Sequence, residues 1–495
     1  MAASGLTRPL IATAAPMIVM SMNNMVMNNA LPSIGFDFSA SLGTTKWVIV
    51  SYTFVFATLM LVATSIGDRL GQRRVFLAGI AVFIGGSVGC ALAPTLALLV
   101  VARATQAVGA AAVLPLSLVL LISAIPQYRR NVALSWWGGA NGLAIALGPL
   151  VGGTVTGEIG WRWVFWINVA AGGLSLLLGV SVLQDREVSR AKLDVPGMVG
   201  VTALVVLLMA AISEAGKGGV TAAIVAGIGI LVPVFVWWER RASSPVLPIR
   251  LCRNRSLLLT YAVSVTMFFA IMGTTVLCSQ YLQFTQGYSP LHAGLASLPS
   301  TATPMLAAPL AGMLLGRIGG GRLMTVGLVL IASGLAWMAI TTTAQLDYLR
   351  WAPGLFLAGT GLGIEMTAAN AVLLTAVPAE DRASASAMNN TVIELGAALG
   401  VFVLVGVFQR ASASTYVSAS DFVAAMRPTV LVGAAAAVLG AVAAAILAVR
   451  YDPTRAGREA RLRATLGTEG SDRSDLFGDV PTDRADRGWD HRTGA

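Results

Sequence analysis

Charged residues are scarce in this chain: they make up 11% of its 495 residues, while hydrophobic residues make up 56%. Soluble domains carry about 25% charged residues, so this composition excludes a soluble fold. Apolar runs recur from Leu10 to Val449, and a run of about 20 residues crosses a bilayer as a helix. The sequence therefore predicts an all-α polytopic membrane protein.

Cysteine is nearly absent as well. The three cysteines, Cys90, Cys252 and Cys278, are isolated, and their spacing fits neither a disulfide framework nor a zinc site. The sequence shows no nucleophile with a neighbouring base, no cluster of metal ligands and no phosphate-binding loop. We therefore expect neither an enzyme nor a cofactor.

Lysine is rare, and the arginines that supply most of the net charge of +10 are spread in short clusters between apolar spans. Nucleic acid is not an expected partner, because its binding requires basic residues gathered on one face of a soluble domain. The basic residues concentrate in every second loop, which marks the cytoplasmic side. We therefore expect about fourteen spans in the inner (plasma) membrane, with both termini cytoplasmic.

An internal repeat divides the chain. Segment 64–74 recurs as segment 312–322, and Arg130 is echoed by Arg382, so both echoes lie about 250 residues apart. The repeat predicts two six-helix bundles in parallel topology, with two inserted helices between them. Such an architecture is typical of transporters, with the substrate site between the halves near mid-membrane.

The repeat and the composition together predict five units. They are a cytoplasmic N-terminus at 1–9, an N-terminal six-helix bundle at 10–185, cytoplasmic linkers with two extra transmembrane helices at 186–256, a C-terminal six-helix bundle at 257–450 and a disordered cytoplasmic tail at 451–495. The tail combines mixed charge with few large apolar residues, so it cannot bury a core.

Three charged residues fall inside predicted spans: Arg103, Glu365 and Glu394. A charge at the centre of a membrane helix costs at least ~2.5–3.5 kcal/mol, so such residues usually have a function. Burial favours the neutral form of a carboxyl group, so either glutamate could carry a proton across or balance the charge of a cationic substrate. The alternative is a protonated glutamate with a structural hydrogen bond.

The loop 68–74 is a candidate latch between the two halves. Gly71 permits a tight turn between helices, and Asp68 with Arg69 can form charged contacts that hold one conformation. Arg74 belongs to the same loop. A solvated cluster that only sets topology is the alternative, and it is sufficient for Arg73 and Arg74.

A second candidate for movement is a glycine-rich segment with Gly148, Pro149, Gly152 and Gly153. Proline removes a backbone hydrogen bond and kinks a helix, and glycine lets a neighbouring helix come close. Packing alone is the alternative, and both interpretations predict a bent, tightly packed helix.

Polar and aromatic side chains within the spans are candidates for a substrate cavity. They are Asn24, Asn28, Tyr52, Gln106, Trp136, Asn141, Gln280 and Asn390. Hydrogen bonding between helices and anchoring at the membrane interface are the alternatives for these residues.

In their order and spacing, these segments resemble the major facilitator superfamily, specifically its fourteen-helix drug/proton antiporter branch. The resemblance covers Leu10 to Arg450. It is carried by 68–74, by 99–109 with Arg103 and Gln106, by 148–153, by 160–168, by 193–197 and by 378–382 with 389–391. It implies a monomeric exporter of amphipathic or hydrophobic drugs or natural products, working by alternating access with the proton gradient as its energy source.

The sequence departs from the family pattern at three positions. Thr64 and Ala107 stand where the family usually has glycine, and Asn23 stands where an aspartate usually precedes the segment Asn28–Pro32. The missing acid leaves an alternative open, which is a proton-independent facilitator, a symporter or an exporter of lipid-like substrates with the same fold.

Overall fold

In the computed structural model, the described residues are 4–125, 130–183, 194–213, 219–242, 251–378, 381–412 and 418–450, and they form helices joined by short connections. The first seven helices, α1 to α7, are Ser4–Asp37, Leu42–Thr45, Trp47–Leu70, Gln72–Leu92, Leu96–Ala124, Arg130–Glu158 and Arg162–Val182. Helices α8 and α9 are Val195–Ser213 and Gly219–Glu239. Helices α10 to α16 are Arg255–Gln280, Pro290–Ala296, Leu298–Ile318, Gly320–Thr341, Tyr348–Ala376, Arg382–Ala411 and Ala419–Arg450, and a π-helical turn, Tyr281–Thr285, follows α10.

Within these described ranges, eleven helical segments are long and apolar enough to cross a membrane, and α1 makes twelve if its two bent parts form one span. The chain is therefore a multi-pass, all-helical membrane protein. Helices α6 and α8 do not reach the same length and hydropathy in the described residues, so the count of fourteen spans stays a prediction.

Two glycines join consecutive helices at equivalent points of the repeat. Gly71 ends α3 and begins α4 with φ +102°, and Gly319 ends α12 and begins α13 with φ +91°. Residues with a Cβ rarely adopt this backbone conformation. The tight turn expected at Gly71 is therefore built into both copies of the repeated segment.

The packing of the helices repeats between the two halves of the chain. Helix α1 packs on α6 and α7, α3 packs on α5, and α4 packs on α5 and α7. The same pairs recur as α10 with α15 and α16, α12 with α14, and α13 with α14 and α16. The inserted helices α8 and α9 pair with each other and contact α3.

Close glycine contacts of the same kind occur within each half. A Cβ atom at Gly79 of α4 would lie 2.9 Å from the Gly109 carbonyl oxygen of α5. In the second half, a Cβ atom at Gly327 of α13 would lie 2.7 Å from the Gly361 carbonyl oxygen of α14. Such close backbone contact suits a membrane interior, where packing rather than water exclusion drives helix association.

The contact between α13 and α14 can be tested by replacing Gly361 with valine. The new Cβ would lie 2.9 Å from the backbone nitrogen of Ile331, so we expect overpacking to cost about 1–3 kcal/mol of stability. Thermal unfolding of the purified protein in detergent measures this cost as a lower melting temperature. Gly312→Val is the matched control, because a Cβ there meets nothing within 4 Å. Equal melting temperatures for the two variants would contradict the tight contact.

Candidate functional site

Arg103 is fully buried in the first half and holds three helices together. Its Nε donates to the Val48 carbonyl oxygen of α3 at 3.0 Å, and its Nη1 donates to Gln106 Oε1 at 2.6 Å. Gln106 Nε2 in turn donates to Ser87 Oγ of α4 at 2.7 Å. The network satisfies most of a buried guanidinium, as a low-dielectric interior requires.

The face of the Arg103 guanidinium packs on an aromatic ring. Its Cζ lies 4.1 Å from the centre of the Tyr52 ring and 6.0 Å from the centre of the Phe165 ring. Tyr52 also stacks on Phe56, with ring centres 5.9 Å apart. A cation over an aromatic face is stabilised by the ring quadrupole, most strongly where water is excluded. The positive charge is thus balanced by dipoles and π-electrons.

Glu394 lies on α15, a helix of the second half that packs against α3 of the first half. It is half-buried rather than buried as the sequence predicted. It lies where the halves meet, because α15 packs on α10 of the second half and on α3 of the first half. Leu395, the next residue, packs against the same small apolar cluster as Phe54 of α3. The junction therefore places an acid on the helix that packs against the one carrying Tyr52.

Glu365 is fully buried in a different place. It lies on α14 against α13, where a Cβ atom at Gly327 would be 2.9 Å from Glu365 Cβ. Both of its carboxyl oxygens are buried without a hydrogen-bond partner among the described residues. In the repeated contact of the first half, the residue that faces Gly79 is Val113, whose side chain would lie 3.2 Å from a Cβ atom at that glycine. An acid thus replaces an apolar residue in an otherwise repeated interface.

The three membrane charges are therefore distributed over three environments. Arg103 lies inside the first half, Glu365 lies between two helices of the second half, and Glu394 lies at the junction. The Tyr52 ring that covers Arg103 belongs to α3, and Glu394 lies on α15, the helix of the second half that packs against α3.

The loop after α3 is held by bonds within the first half. Asp68 is exposed and accepts a hydrogen bond from Gln72 Nε2 of the same loop at 2.8 Å. For Arg73, the sequence required no role beyond setting the topology. In the structure, its Nη2 donates to the Val180 carbonyl oxygen of α7 at 2.8 Å. Arg69 and Arg74 are exposed. The loop thus ties α3 and α4 to α7, and its role as a latch stays a prediction.

The glycine-rich segment of α6 is tightly packed against neighbouring helices, as predicted. A Cβ atom at Gly148 would collide with Met25 of α1, and one at Gly152 would lie 2.8 Å from Val26 Cα. A Cβ atom at Gly153 would lie 2.9 Å from Leu291 Cα of α11. Since α11 belongs to the second half of the chain, this segment touches both halves.

The predicted cavity residues divide into three groups. Tyr52, Gln106, Asn28 and Gln280 are buried, Trp136 and Asn390 are exposed, and the side chains of Asn24 and Asn141 lie outside the described residues. Tyr52 and Gln106 face the Arg103 network instead of an open cavity, because the buried guanidinium needs their ring and amide.

Several polar residues in the centre were not among the predicted site residues. Asn23 Oδ1 accepts from Asn168 Nδ2 of α7 at 2.9 Å, so the residue in the place of the usual aspartate is a buried hydrogen-bond partner. Asn29, Ser279 and Gln283 connect the two halves. The clustering of asparagines at 23–29 was the available signal for Asn29. Nothing in the sequence distinguishes Ser279 or Gln283 from other polar residues in apolar spans.

Comparison with known proteins now identifies the family. The sequence profile of the Major Facilitator Superfamily matches residues 15–401. The chain belongs to the major facilitator superfamily. It is therefore a membrane transporter of small molecules and not an enzyme, in agreement with the predictions made from the sequence.

Its relatives in this superfamily include resistance proteins. The chain is 33% identical to the multidrug resistance protein Stp of Mycobacterium tuberculosis, over 80% of this chain and 74% of that protein. It is 31% identical to the tetracenomycin C resistance and export protein of Streptomyces glaucescens, over 81% of this chain and 76% of that protein. A peptide transporter POT solved in complex with sulfate shares the fold, with a TM-score of 0.67 over 91% of this chain and 95% of that one at 17% identity.

The Tyr52 ring can be separated from its hydroxyl by substitution. Tyr52→Phe keeps a ring over the Arg103 guanidinium, so we expect nearly wild-type stability of this transporter. Tyr52→Leu removes the ring and should cost about 2 kcal/mol, the value of a desolvated cation–π contact. Melting temperatures of the three proteins in detergent measure the difference. If the phenylalanine and leucine variants melt at the same temperature, the ring does not stabilise Arg103.

Proposed function

We propose that this chain exports amphipathic or hydrophobic drugs or natural products in exchange for protons, by alternating access. The observation that carries the proposal is Glu394, a half-buried acid on α15, the second-half helix that packs against α3, which carries the Tyr52 ring over Arg103. The names of the relatives, multidrug resistance and antibiotic export, support a drug-like substrate. No cofactor is needed, because the proton gradient supplies the energy.

Glu394 is the proposed site where proton and substrate compete. Its partial exposure lets a proton or a cationic group reach the carboxylate from the space between the halves. Tyr52, whose ring is covered by the Arg103 guanidinium, lies on α3, the helix against which α15 packs. A cationic substrate and a proton each neutralise the same carboxylate, and mutual exclusion couples their opposite movements.

Glu365 is the proposed second proton site. An ionised carboxyl without a hydrogen-bond donor is costly in a water-excluded interior, and both oxygens of Glu365 lack a partner among the described residues. We propose that Glu365 holds a proton in this conformation. Release of that proton requires α13 and α14 to separate or water to enter, which links its charge to the conformation of the second half.

The gating elements are proposed to be the loop of Asp68, Arg69, Gly71 and Arg74 and the segment Gly148–Gly153. The loop joins α3 and α4 to α7 through Arg73, which lets the first half move as one body. The α6 segment lies against both α1 and α11, so its glycines lie where the halves must slide or separate. Asn28, Gln280 and Asn390 stay candidates for substrate contact.

We also propose the finer topology. All fourteen long helices span the membrane, the six-helix bundles are 10–185 and 257–450, the termini are cytoplasmic, and the protein works as a monomer in the inner membrane. Corresponding helix pairs are in contact within α1–α7 and within α10–α16, which supports two equivalent bundles. The basic residues of every second loop support the orientation.

A transporter without proton antiport is the second candidate. It is favoured by Asn23, which cannot titrate and whose oxygen is occupied by Asn168 at 2.9 Å. A facilitator, a symporter or a lipid-like substrate exporter would then use the same fold, with Glu394 serving only as a counter-charge.

Substitution of the glutamates distinguishes the two candidates. In proteoliposomes with an imposed pH gradient, Glu394→Gln and Glu365→Gln should each reduce gradient-driven accumulation of a cationic dye at least about tenfold, as expected when an essential proton acceptor is lost. Substrate exchange without a gradient should persist, because the path stays intact. Glu158→Gln is the matched control, since Glu158 is exposed at the end of α6. Unchanged gradient dependence in both glutamate variants would support the second candidate.

Thiol labelling tests the span count. Lys217 lies between α8 and α9, and Arg241 follows α9. If both helices span, a cysteine at 217 reacts with a membrane-impermeant reagent added to intact cells, whereas a cysteine at 241 reacts only after lysis. Protection of both positions in intact cells would mean that α8 and α9 do not cross the membrane.

A further inference from the structure

The two halves are joined by three hydrogen bonds at the ends of α1 and α10. Ser279 Oγ donates to the Asn28 carbonyl oxygen at 2.9 Å and lies 3.2 Å from Asn29 Oδ1. Gln283 Nε2 donates to the Asn29 carbonyl oxygen at 3.1 Å and to Ser279 Oγ at 3.0 Å. The chain separation between these groups is 250 to 254 residues. We call Asn29, Ser279 and Gln283 the amide cluster.

Asn29 uses both ends of its side-chain amide. While its oxygen faces Ser279, its Nδ2 donates to the Pro149 carbonyl oxygen of α6 at 2.8 Å. Pro149 is also touched from the second half, since a Cβ atom at Gly294 of α11 would lie 3.0 Å from the Pro149 carbonyl carbon. One side chain thus braces α1 and α6 at the point where α10 and α11 meet them.

A cavity of about 560 Å³ lies on one side of the amide cluster. Its lining includes Pro32, Thr156 and Arg162 from the first half and Gln283 and Pro290 from the second. Gln283 therefore faces the cavity and bonds to Asn29, which is 3% exposed. The charge pattern predicts that the C-terminal ends of α1 and α10 lie outside, so the cavity lies on the expected external side of the amide cluster.

We propose that Asn29, Ser279 and Gln283 are the outer gate of the transport path, an inference that rests on the proposed function. They close the halves in this conformation, and their three bonds across the halves must break before a substrate can leave to the outside. Breaking them exposes amides and a hydroxyl to water, which can replace each bond at small net cost. A gate of this kind can open and close repeatedly.

The gate contains no titratable side chain. One ion pair lies nearby at the cavity rim, where Arg162 Nη1 is 2.6 Å from Asp37 Oδ2. Both residues belong to the first half. His292 is exposed on α11, which packs on Asn29 through Gly294, and its Nδ1 lies 2.8 Å from Ser289 Oγ rather than in the amide cluster. The gate therefore responds to the positions of α1 and α10.

Accessibility of a cysteine behind the gate tests the proposal. Asn28 is 5% exposed, and only its backbone carbonyl takes part in the described bonds, so Asn28→Cys keeps the gate intact. The background replaces Cys90, Cys252 and Cys278 with alanine. Intact cells are treated with a membrane-impermeant maleimide, and the rate of labelling at position 28 is measured.

The gate variant is Ser279→Ala with Gln283→Ala, which removes all three bonds across the halves. Each neutral hydrogen bond shifts a two-state equilibrium about two- to tenfold, so we expect labelling to become at least about tenfold faster. The control variant is Thr275→Ala with Gln286→Ala. It removes a hydroxyl and an amide from the same region, but Thr275 bonds to Ile271 of its own helix and Gln286 bonds to Ala344 within the second half. The control should label at the parental rate.

Equal labelling of the gate variant and the control would overturn the proposal. Each single substitution should give a smaller increase than the double variant, and a melting temperature near the parental value excludes general unfolding as the cause. The result does not depend on the export assay. Export is measured in the protein that keeps Asn28. Faster labelling combined with no export would support the gate and reject the proposed function, whereas proton-driven export with unchanged labelling would do the reverse.

Discussion

The constraint on which this structure depends is the absence of water in the bilayer interior, where every polar group must find its partner inside the protein. Arg103 satisfies this requirement with the Val48 carbonyl oxygen of α3, the Gln106 amide of α5 and the face of the Tyr52 ring. These contacts fix the relative positions of α3, α4 and α5. They also fix the orientation of Tyr52, and with it the surroundings of Glu394 at the junction of the halves.

The internal repeat gives the second half the same scaffold, so differences between the halves are informative. The glycine contact of Gly79 with Gly109 recurs as Gly327 with Gly361, yet Val113 is replaced by Glu365 at the same interface. An acid without a hydrogen-bond partner among the described residues weakens packing that valine would strengthen. The two copies of the scaffold therefore differ chemically at this interface, in line with the proton site proposed at Glu365.

Most of the scaffold could be predicted from the sequence, because hydropathy, charge bias and glycine placement are local properties. The turn at Gly71, its copy at Gly319 and the close contacts of Gly148–Gly153 were all visible as motifs. The candidate site was less predictable. One of the two acceptors of Arg103 is the Val48 backbone carbonyl, which no sequence pattern marks. The exposure of Glu394 depends on how α15 crosses α3, and the bonds of Asn29 join residues that are 250 positions apart.

The packing of α10 and α15 connects the proposed proton site to the proposed gate. Gly396 and Gly400 of α15 lie against the backbone of Val265 and Phe269 on α10, so the two helices are in close contact below the gate. The Tyr261 hydroxyl of α10 donates to the Ala385 carbonyl oxygen of α15 at 3.0 Å near their other ends.

In the proposed mechanism, two helices joined at both points move as one body, which carries Glu394 in its middle and Ser279 near its outer end. A change in the charge of Glu394 that shifts α15 against α3 would then also shift the hydroxyl of the proposed gate. Neutral bonds would close the gate, while the group that exchanges its proton for the substrate stays in the interior. The opening of the gate would thus follow the charge of Glu394 through the position of α10.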